Sequence, residues 1–381
     1  MESLVAQMTP YFDCAFEDAR VFLTGHTGFK GSWLTAWLHM LGASVHGFSL
    51  DPPTNPSLFE SARIASLLAS HTVGDVRDLQ NLRAAMQEAQ PSVVFHLAAQ
   101  PLVRASYDDP LETYETNVIG TINVLEAARA TPSVRAIVVI TSDKCYENRE
   151  WPLAYRENDP MGGWDPYSSS KGCAELAVNS WRRSFFASAE SPGLATARAG
   201  NVIGGGDWAQ DRIVPDCIRA LSTRQPVIVR NPGAVRPWQH VLESLSGYLC
   251  LASHLLADGK VNGEAWNFGP LPGDSLAVGE LATALVSHWG SGEWVATELE
   301  GEQPHEAGYL QIDSTKAMNA LRWRPVWCAA DAIEVTTRWY RSLDDGTSSA
   351  DNLVRSDIDE YMHQATQRRV AWACGNRSQR G

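Results

Sequence analysis

Tyr167 and Lys171 stand four residues apart in the run Tyr167-Ser168-Ser169-Ser170-Lys171. On a helix this spacing puts both side chains on one face. An ammonium beside a phenol favours the phenolate. A phenolate near neutral pH can take a hydroxyl proton as hydride leaves the same carbon. The lysine can also hold the ribose of a nicotinamide nucleotide. Alone, a YxxxK pair is a common accident. Here Gly25-His26-Thr27-Gly28-Phe29-Lys30-Gly31 lies upstream, and Thr141-Ser142 ends an apolar run between the two.

The glycine run follows the apolar stretch 21–24 and opens a helical pattern from Ser32. Glycines at GxxGxxG spacing permit a tight turn and close approach of backbone to a pyrophosphate, and the helix N-terminus adds N–H groups and positive dipole. Gly25, Thr27, Gly28, Phe29, Lys30 and Gly31 are the expected cofactor contacts. His26 and Lys30 either meet phosphate charge or point to solvent. The second strand ends Ser49-Leu50-Asp51, so Asp51 is the expected reader of the adenosine ribose, two positions late. No arginine follows to meet a 2′-phosphate, which favours NAD over NADP. Asp75 and Val76, after the next strand, are placed to meet the adenine edge.

These residues need a scaffold. Runs 21–24, 44–50, 93–99, 136–141 and 194–198 read as buried strands, and helical patterns fall between them, clearest at 110–130. The alternation predicts an α/β fold, a Rossmann-type doubly wound parallel sheet with helices on both faces. Trp33, Leu34, Trp37, Leu38 and Leu41 predict one apolar helix face. Beyond residue 200, Gly and Pro cluster and the pattern loosens. Residues 1–199 are expected to form the dinucleotide domain, its first 20 or so an extension. Residues 200–341 are expected mainly to form a smaller α/β substrate domain, and 342–381 a polar, partly flexible extension.

The chain has 381 residues, 44% of them hydrophobic, and 31 basic against 44 acidic residues for a net charge of −13. A sizeable core follows, and general binding to nucleic acid or anionic membrane is disfavoured. Seven cysteines form no CxxC pair, which argues against structural zinc or a disulfide framework and for a reducing cytoplasm. No run approaches the ~20 apolar residues of a membrane span. His96 reads as a satisfied core histidine, and Trp33, Trp37 and Trp181 as core or interface.

Together the motifs resemble the extended short-chain dehydrogenase/reductase family, from about residue 20 to 340. Other matching segments are HLAAQ (96–100), with Leu97, Ala98 and Ala99 expected at the cofactor, Asn117 in ETNVIGT, and AGNVIGGGDW (199–208). Within that family the nucleotide-sugar 4,6-dehydratases follow the strand-end hydroxyl with an acid–base pair. Deoxythymidine-type members carry Thr-Asp-Glu. Here the segment is Ser142-Asp143-Lys144, which resembles the CDP-glucose type, as do TGHTGFKGSW, TSDKCY, ENDPMGG and YSSSKGCAEL.

The resemblance implies CDP-glucose as substrate and NAD as a hydride reservoir unchanged over the cycle. Its steps are oxidation at C4, loss of water across C5–C6, and hydride return to C6. Tyr167 would be the base for the 4-hydroxyl, Ser142 its hydrogen-bonding companion, and Asp143 and Lys144 the acid–base pair for elimination. Arg236 and Asn201 are expected at the diphosphate, with Arg104, Arg212, Arg230 and Tyr309 as further substrate contacts. Helices 110–130 and 166–186 are expected to pair across a two-fold axis into a homodimer, which a homotetramer would double. A 4-epimerase on this scaffold would need no acid–base pair beside the hydroxyl. A dinucleotide-sensing regulator should lack Tyr167 or Lys171. A GDP- or dTDP-sugar dehydratase is the remaining alternative.

Overall fold

The computed structural model describes residues 11–257, 263–297 and 308–375. Seven parallel strands form one sheet: β1 (Arg20–Thr24), β2 (Ser44–Ser49), β3 (Ser70–Val73), β4 (Val93–His96), β5 (Ala136–Ile140), β6 (Gly193–Arg198) and β7 (Ala265–Asn267). Their order is β7-β6-β5-β4-β1-β2-β3. The central strands β4 and β5 are buried along their whole length, as a sheet covered on both faces requires. The order reverses between β1 and β4, and the crevice beyond the strands' carboxyl ends opens there.

One face of the sheet is covered by α2 (Leu79–Ala89), α3 (Gly120–Arg129) and α4 (Pro166–Phe185). Leu82, Met86, Val124, Leu125 and Val178 meet Phe22, Val94 and Ile137 of the strands. The other face carries α1 (Phe29–Met40) and, from the second half of the chain, α6 (Val241–Ala257). The same core takes in α5 (Ile213–Ser222), α7 (Val278–Trp289), α8 (Ala329–Asp344) and α9 (Ala350–Gln367). Short strand pairs join 202–203 to 239–240, 235–236 to 276–277 and 227–229 to 294–296.

Two expectations change. The strand expected over 93–99 ends at His96. Thr24 Oγ1 lies 2.8 Å from His96 Nδ1 and accepts the Ala98 N–H at 3.2 Å, so Leu97–Ala99 turn over the end of β1 as a loop. The polar stretch from 342 packs tightly as far as Gly375. Its helix α9 buries Val354, Ile358, Tyr361 and Ala365, and Trp372 stacks on Phe12 at 4.8 Å between ring centroids. The last six residues of the expected extension, 376–381, and its N-terminal counterpart 1–10 lie outside the described residues, as do 258–262 and 298–307.

That packing also explains α1. One apolar face was expected, yet every residue from Gly31 to Leu38 is buried. The sheet takes one side, while Tyr361 and Trp372 meet Trp37 edge-on from the other. A helix buried all round belongs between layers. Among the described residues no helix is long and apolar enough to cross a membrane, and no cluster of His, Cys, Asp and Glu could hold a metal ion.

Trp372→Ala should therefore cost about 3 kcal/mol of stability, as for a buried aromatic truncated to alanine. Urea unfolding followed by circular dichroism measures it, and an unchanged midpoint would mean that the tail lends the core nothing.

Candidate active site

The crevice is bounded first by the glycine turn between β1 and α1. Gly25 holds φ at +76°, and a Cβ there would lie 2.7 Å from the Ala98 nitrogen. Only glycine accepts both the left-handed backbone and the contact. Gly31 packs directly on the Gly25 backbone. Gly28 differs: a Cβ on it would meet nothing nearer than Gly25 O at 3.4 Å. Gly28 is the N-cap of α1 and supplies no side-chain cap, so the first-turn N–H groups of a 12-residue helix face the crevice without an intrahelical partner. Free space over a glycine, in front of an uncapped helix, fits a pyrophosphate.

The neighbouring side chains behave differently from expectation. Thr27 Oγ1 is committed to the end of β2, 2.8 Å from Ser49 Oγ and 2.9 Å from Leu50 O, so its hydroxyl braces the turn. Phe29 packs against the core. His26 is buried with Nε2 2.7 Å from His71 Nδ1, and burial with the adjacent His71 holds its pKa down to about 4, so it brings no charge to phosphate. Lys30 turns inward from the first turn of α1, its Nζ 3.5 Å from Tyr248 Oη. Burial, and Arg212 beside it, lower its pKa to about 8 against the pull of Asp143. It points neither to solvent nor along the outer loop, because that turn faces the cleft.

Asp51 is exposed in the loop beyond β2. Asp75 follows β3, but Arg77 grips its carboxylate through Nε at 2.8 Å and Nη2 at 2.6 Å. Val76 is a core side chain whose carbonyl accepts from Asn123. Neither matches a freely presented adenine contact. Asn117 sits in a π turn, Glu115–Ile119. Its Nδ2 donates to Gln100 O at 3.1 Å and Ser170 Oγ at 2.8 Å, and its Oδ1 accepts from Gln100 N–H at 2.9 Å. It pins the loop after β4 to α4. His96 is a satisfied core residue between Thr24 and Thr121.

The reactive groups meet at the carboxyl ends of β5 and β6. Asp165 caps α4 by accepting the Ser168 N–H at 2.9 Å, and Ser106 Oγ accepts the Tyr167 N–H at 3.1 Å. Tyr167 and Lys171 then lie on the inner face of α4, both buried. Ser142 Oγ donates to Asp143 Oδ1 at 3.0 Å, and Asn201 Nδ2 donates to Asp143 Oδ2 at 3.3 Å. Lys144 follows on the same short turn, half-buried, its N–H on Ser142 Oγ. Burial pushes the Tyr167 phenol up to about 12, and a hydrogen bond with Ser142 only partly reverses this. Burial likewise lowers Lys171 to about 8. The phenolate expected from Lys171 alone is thus not the resting form, because desolvation outweighs the Ser142 hydrogen bond and the charge of Arg212.

The substrate-side residues form two groups. Arg212 Nη1 pairs with Asp207 at 2.8 Å, while Arg104 and Arg230 both approach Asp211, at 3.9 and 3.1 Å. Arg236 and Tyr309 lie on adjoining backbone, joined through Val235, and Arg236 Nη1 donates to Val235 O and Gly308 O. Asn201, expected at a diphosphate, donates to Asp143 and holds a left-handed φ of +50°. Sequence reading missed Glu175, Arg198, Asp207 and Tyr248. Only Glu175 left a signal there, one helical turn beyond Lys171.

Replacing Gly28 with valine should leave the melting temperature nearly unaltered, because its Cβ makes only an ordinary contact with Gly25 O at 3.4 Å. Binding of NAD, followed by calorimetry, should weaken by at least about tenfold through collision with the pyrophosphate. Undiminished binding would detach this loop from any nucleotide.

The family model described as GDP-mannose 4,6 dehydratase matches residues 22–336. A CDP-glucose 4,6-dehydratase from Salmonella typhimurium is 50% identical over 359 residues, covering 92% of this chain and 98% of that protein. Among solved structures, an epimerase from Methanothermobacter thermautotrophicus superposes with a TM-score of 0.74 at 22% identity, over 93% of this chain and 99% of the other. A dTDP-glucose 4,6-dehydratase from Streptomyces venezuelae, solved with NAD bound, gives 0.69 at 24%, over 85% and 97%. Both structures show the same fold. With the glycine turn, the YxxxK helix and the strand-end hydroxyl all inside the matched span, the chain belongs to the GDP-mannose 4,6 dehydratase family of extended short-chain dehydrogenases/reductases.

Proposed function

We propose that the chain converts CDP-glucose into CDP-4-keto-6-deoxyglucose and water, using NAD. The observation that carries this reading is the Ser142-Asp143-Lys144 turn, an acid–base pair set directly beside Tyr167. An enzyme that only oxidised and re-reduced C4 would have no use for that pair. The 50% identity to the Salmonella CDP-glucose enzyme supports the nucleotide.

Tyr167 takes the proton of the 4-hydroxyl, and Ser142, bonded to the phenol, steadies the same oxygen. When bound, NAD would supply a hydride acceptor for C4 and a donor for C6, and a cationic ring that favours the phenolate. The first-turn N–H groups of α1 hold its pyrophosphate, and Lys171 its nicotinamide ribose. The C4 ketone acidifies the C5 proton. Asp143 and Lys144 then take one proton from C5, deliver one to the departing C6 hydroxyl, and return one to C5 as hydride reaches C6. Arg212, with Arg104 and Arg230, supplies local positive charge for the substrate diphosphate in a chain that is acidic overall. Arg236, Tyr309 and Asn201 line the remaining approach. The product is a building block for deoxysugars of the lipopolysaccharide type. Seven free cysteines suit a reducing cytoplasm.

The working unit is a homodimer. Leu111 and Ile119, on the helical run ahead of α3, and Leu176 and Phe185, on α4, are exposed apolar side chains on the helices expected to pair. Sedimentation at micromolar concentration should show a dimer or a doubled dimer, and Leu176→Glu should shift it toward monomer. A monomeric wild-type protein would refute the pairing.

The chemistry divides by variant. Tyr167→Phe should form no reduced nicotinamide. Lys144→Ala and Asp143→Asn should still oxidise C4 but slow water loss by ~10²-fold, so reduced nicotinamide accumulates with CDP-glucose and absorbs in the near ultraviolet. Wild-type turnover in Lys144→Ala would remove Lys144 from the mechanism.

A further inference from the structure

Beneath the reaction centre lies a buried ion pair that the chemistry above does not use. Glu175 is one helical turn beyond Lys171 on α4, and both side chains are buried. The Glu175 carboxylate accepts from Arg198 Nε at 2.9 Å and Nη2 at 2.8 Å, from Thr141 Oγ1 at 2.5 Å and from Thr196 Oγ1 at 2.8 Å. Arg198 continues to Tyr146 Oη at 2.8 Å, and Tyr146 to Asn267 Oδ1 at 2.7 Å. The network therefore ties α4 to the ends of β5, β6 and β7. Thr141 is the residue immediately before Ser142.

We propose that Glu175, held ionised by Arg198, is a positioning residue that keeps Lys171 in its ammonium form and seats the Ser142-Asp143-Lys144 turn against α4. The proposal rests on the reading of Tyr167 and Lys171 as the oxidising pair.

The surroundings of Lys171 single out Glu175. On α4 it has Tyr167 and Glu175. Cys145 approaches from the turn after β5, His96 from the end of β4 and Lys30 from α1. Burial holds His96 down to about 3, and it pushes the Cys145 thiol far above its ordinary range. Those two and Tyr167 are uncharged at neutral pH, while Lys30 is a cation that opposes a second one. Burial alone drives Lys171 toward the neutral amine, and the charge of Glu175 opposes this most strongly. Burial would also raise Glu175 itself, but Arg198 and the two threonines more than offset it, holding the carboxyl below the usual range. A neutral Lys171 would bind ribose without stabilising a phenolate, so activity should fall as Lys171 loses its proton with rising pH.

The chain has five lysines, so the Lys171 side chain can be followed in ¹³Cε-lysine NMR, assigned with Lys171→Met. In Glu175→Gln the Lys171 titration should move to lower pH by at least about one unit, as expected for the loss of a near charge in a dry site. The alkaline limb of kcat with CDP-glucose should move with it. Glu175→Asp, which keeps the charge, should stay near wild type. Glu175→Gln leaves Arg198 buried and unpaired, which can unfold the protein. In that event Glu175→Gln/Arg198→Met carries the test, because Arg198 acts on Lys171 more weakly than Glu175 does. An unmoved Lys171 titration in the folded variant would overturn the proposal whatever the activity. A wild-type protein inactive on CDP-glucose would instead overturn the proposed function and leave the titration result standing.

Discussion

Buried charge is the constraint around which this molecule is arranged. Glu175 and Arg198 are almost wholly removed from water, and their pairing is acceptable only because every lone pair of the carboxylate and most of the guanidinium are satisfied. The pair and its partners come from α4, β6, the segment just after β5 and the loop at Glu157. The candidate reacting groups stand on two of these pieces, Tyr167 and Lys171 on α4, Ser142 and Asp143 on the turn after β5. Any displacement of α4 would leave a buried charge without its partner, so the geometry of the site is tied to the stability of the fold.

A second demand comes from the crevice itself. It has to admit an anionic ligand in a chain of net charge −13. The glycine turn answers this with backbone rather than with side chains. Thr27 and His26 are turned away into structural bonds, and Lys30 reaches past the turn into the reaction centre. On the opposite side, positive charge is local and held in place. Asp207 fixes Arg212, and Asp211 stands between Arg104 and Arg230.

The second half of the chain is more than a cover over the crevice. Strand β7 extends the main sheet, and α6 lies across it. The C-terminal helices close over α1, where Trp372 stacks on Phe12 and Tyr361 and Trp37 meets the rings edge-on. The helix whose N-terminus faces the crevice is thereby clamped from both sides. Position at that terminus matters, because the dipole acts over a turn or less.

Short-range pattern carried much of this into the sequence. Strand–helix alternation, the glycine spacing and the four-residue step from Tyr167 to Lys171 are local properties, and local stereochemistry makes them legible. The run Ser142-Asp143-Lys144 is equally legible, since its meaning lies in which residue types adjoin. What tertiary structure alone decided are matters of burial and distant contact. Arg198 becomes the partner of Glu175 only when β6 lies beside β5. Asn201 donates to Asp143, and Arg77 donates to Asp75. The polar composition of 350–375 concealed a packed segment, because its few apolar residues find a partner surface more than 300 positions earlier in the chain. Tyr167 is a phenol at rest for the same kind of reason: the sequence places a cation beside it, but only the fold determines how little water remains.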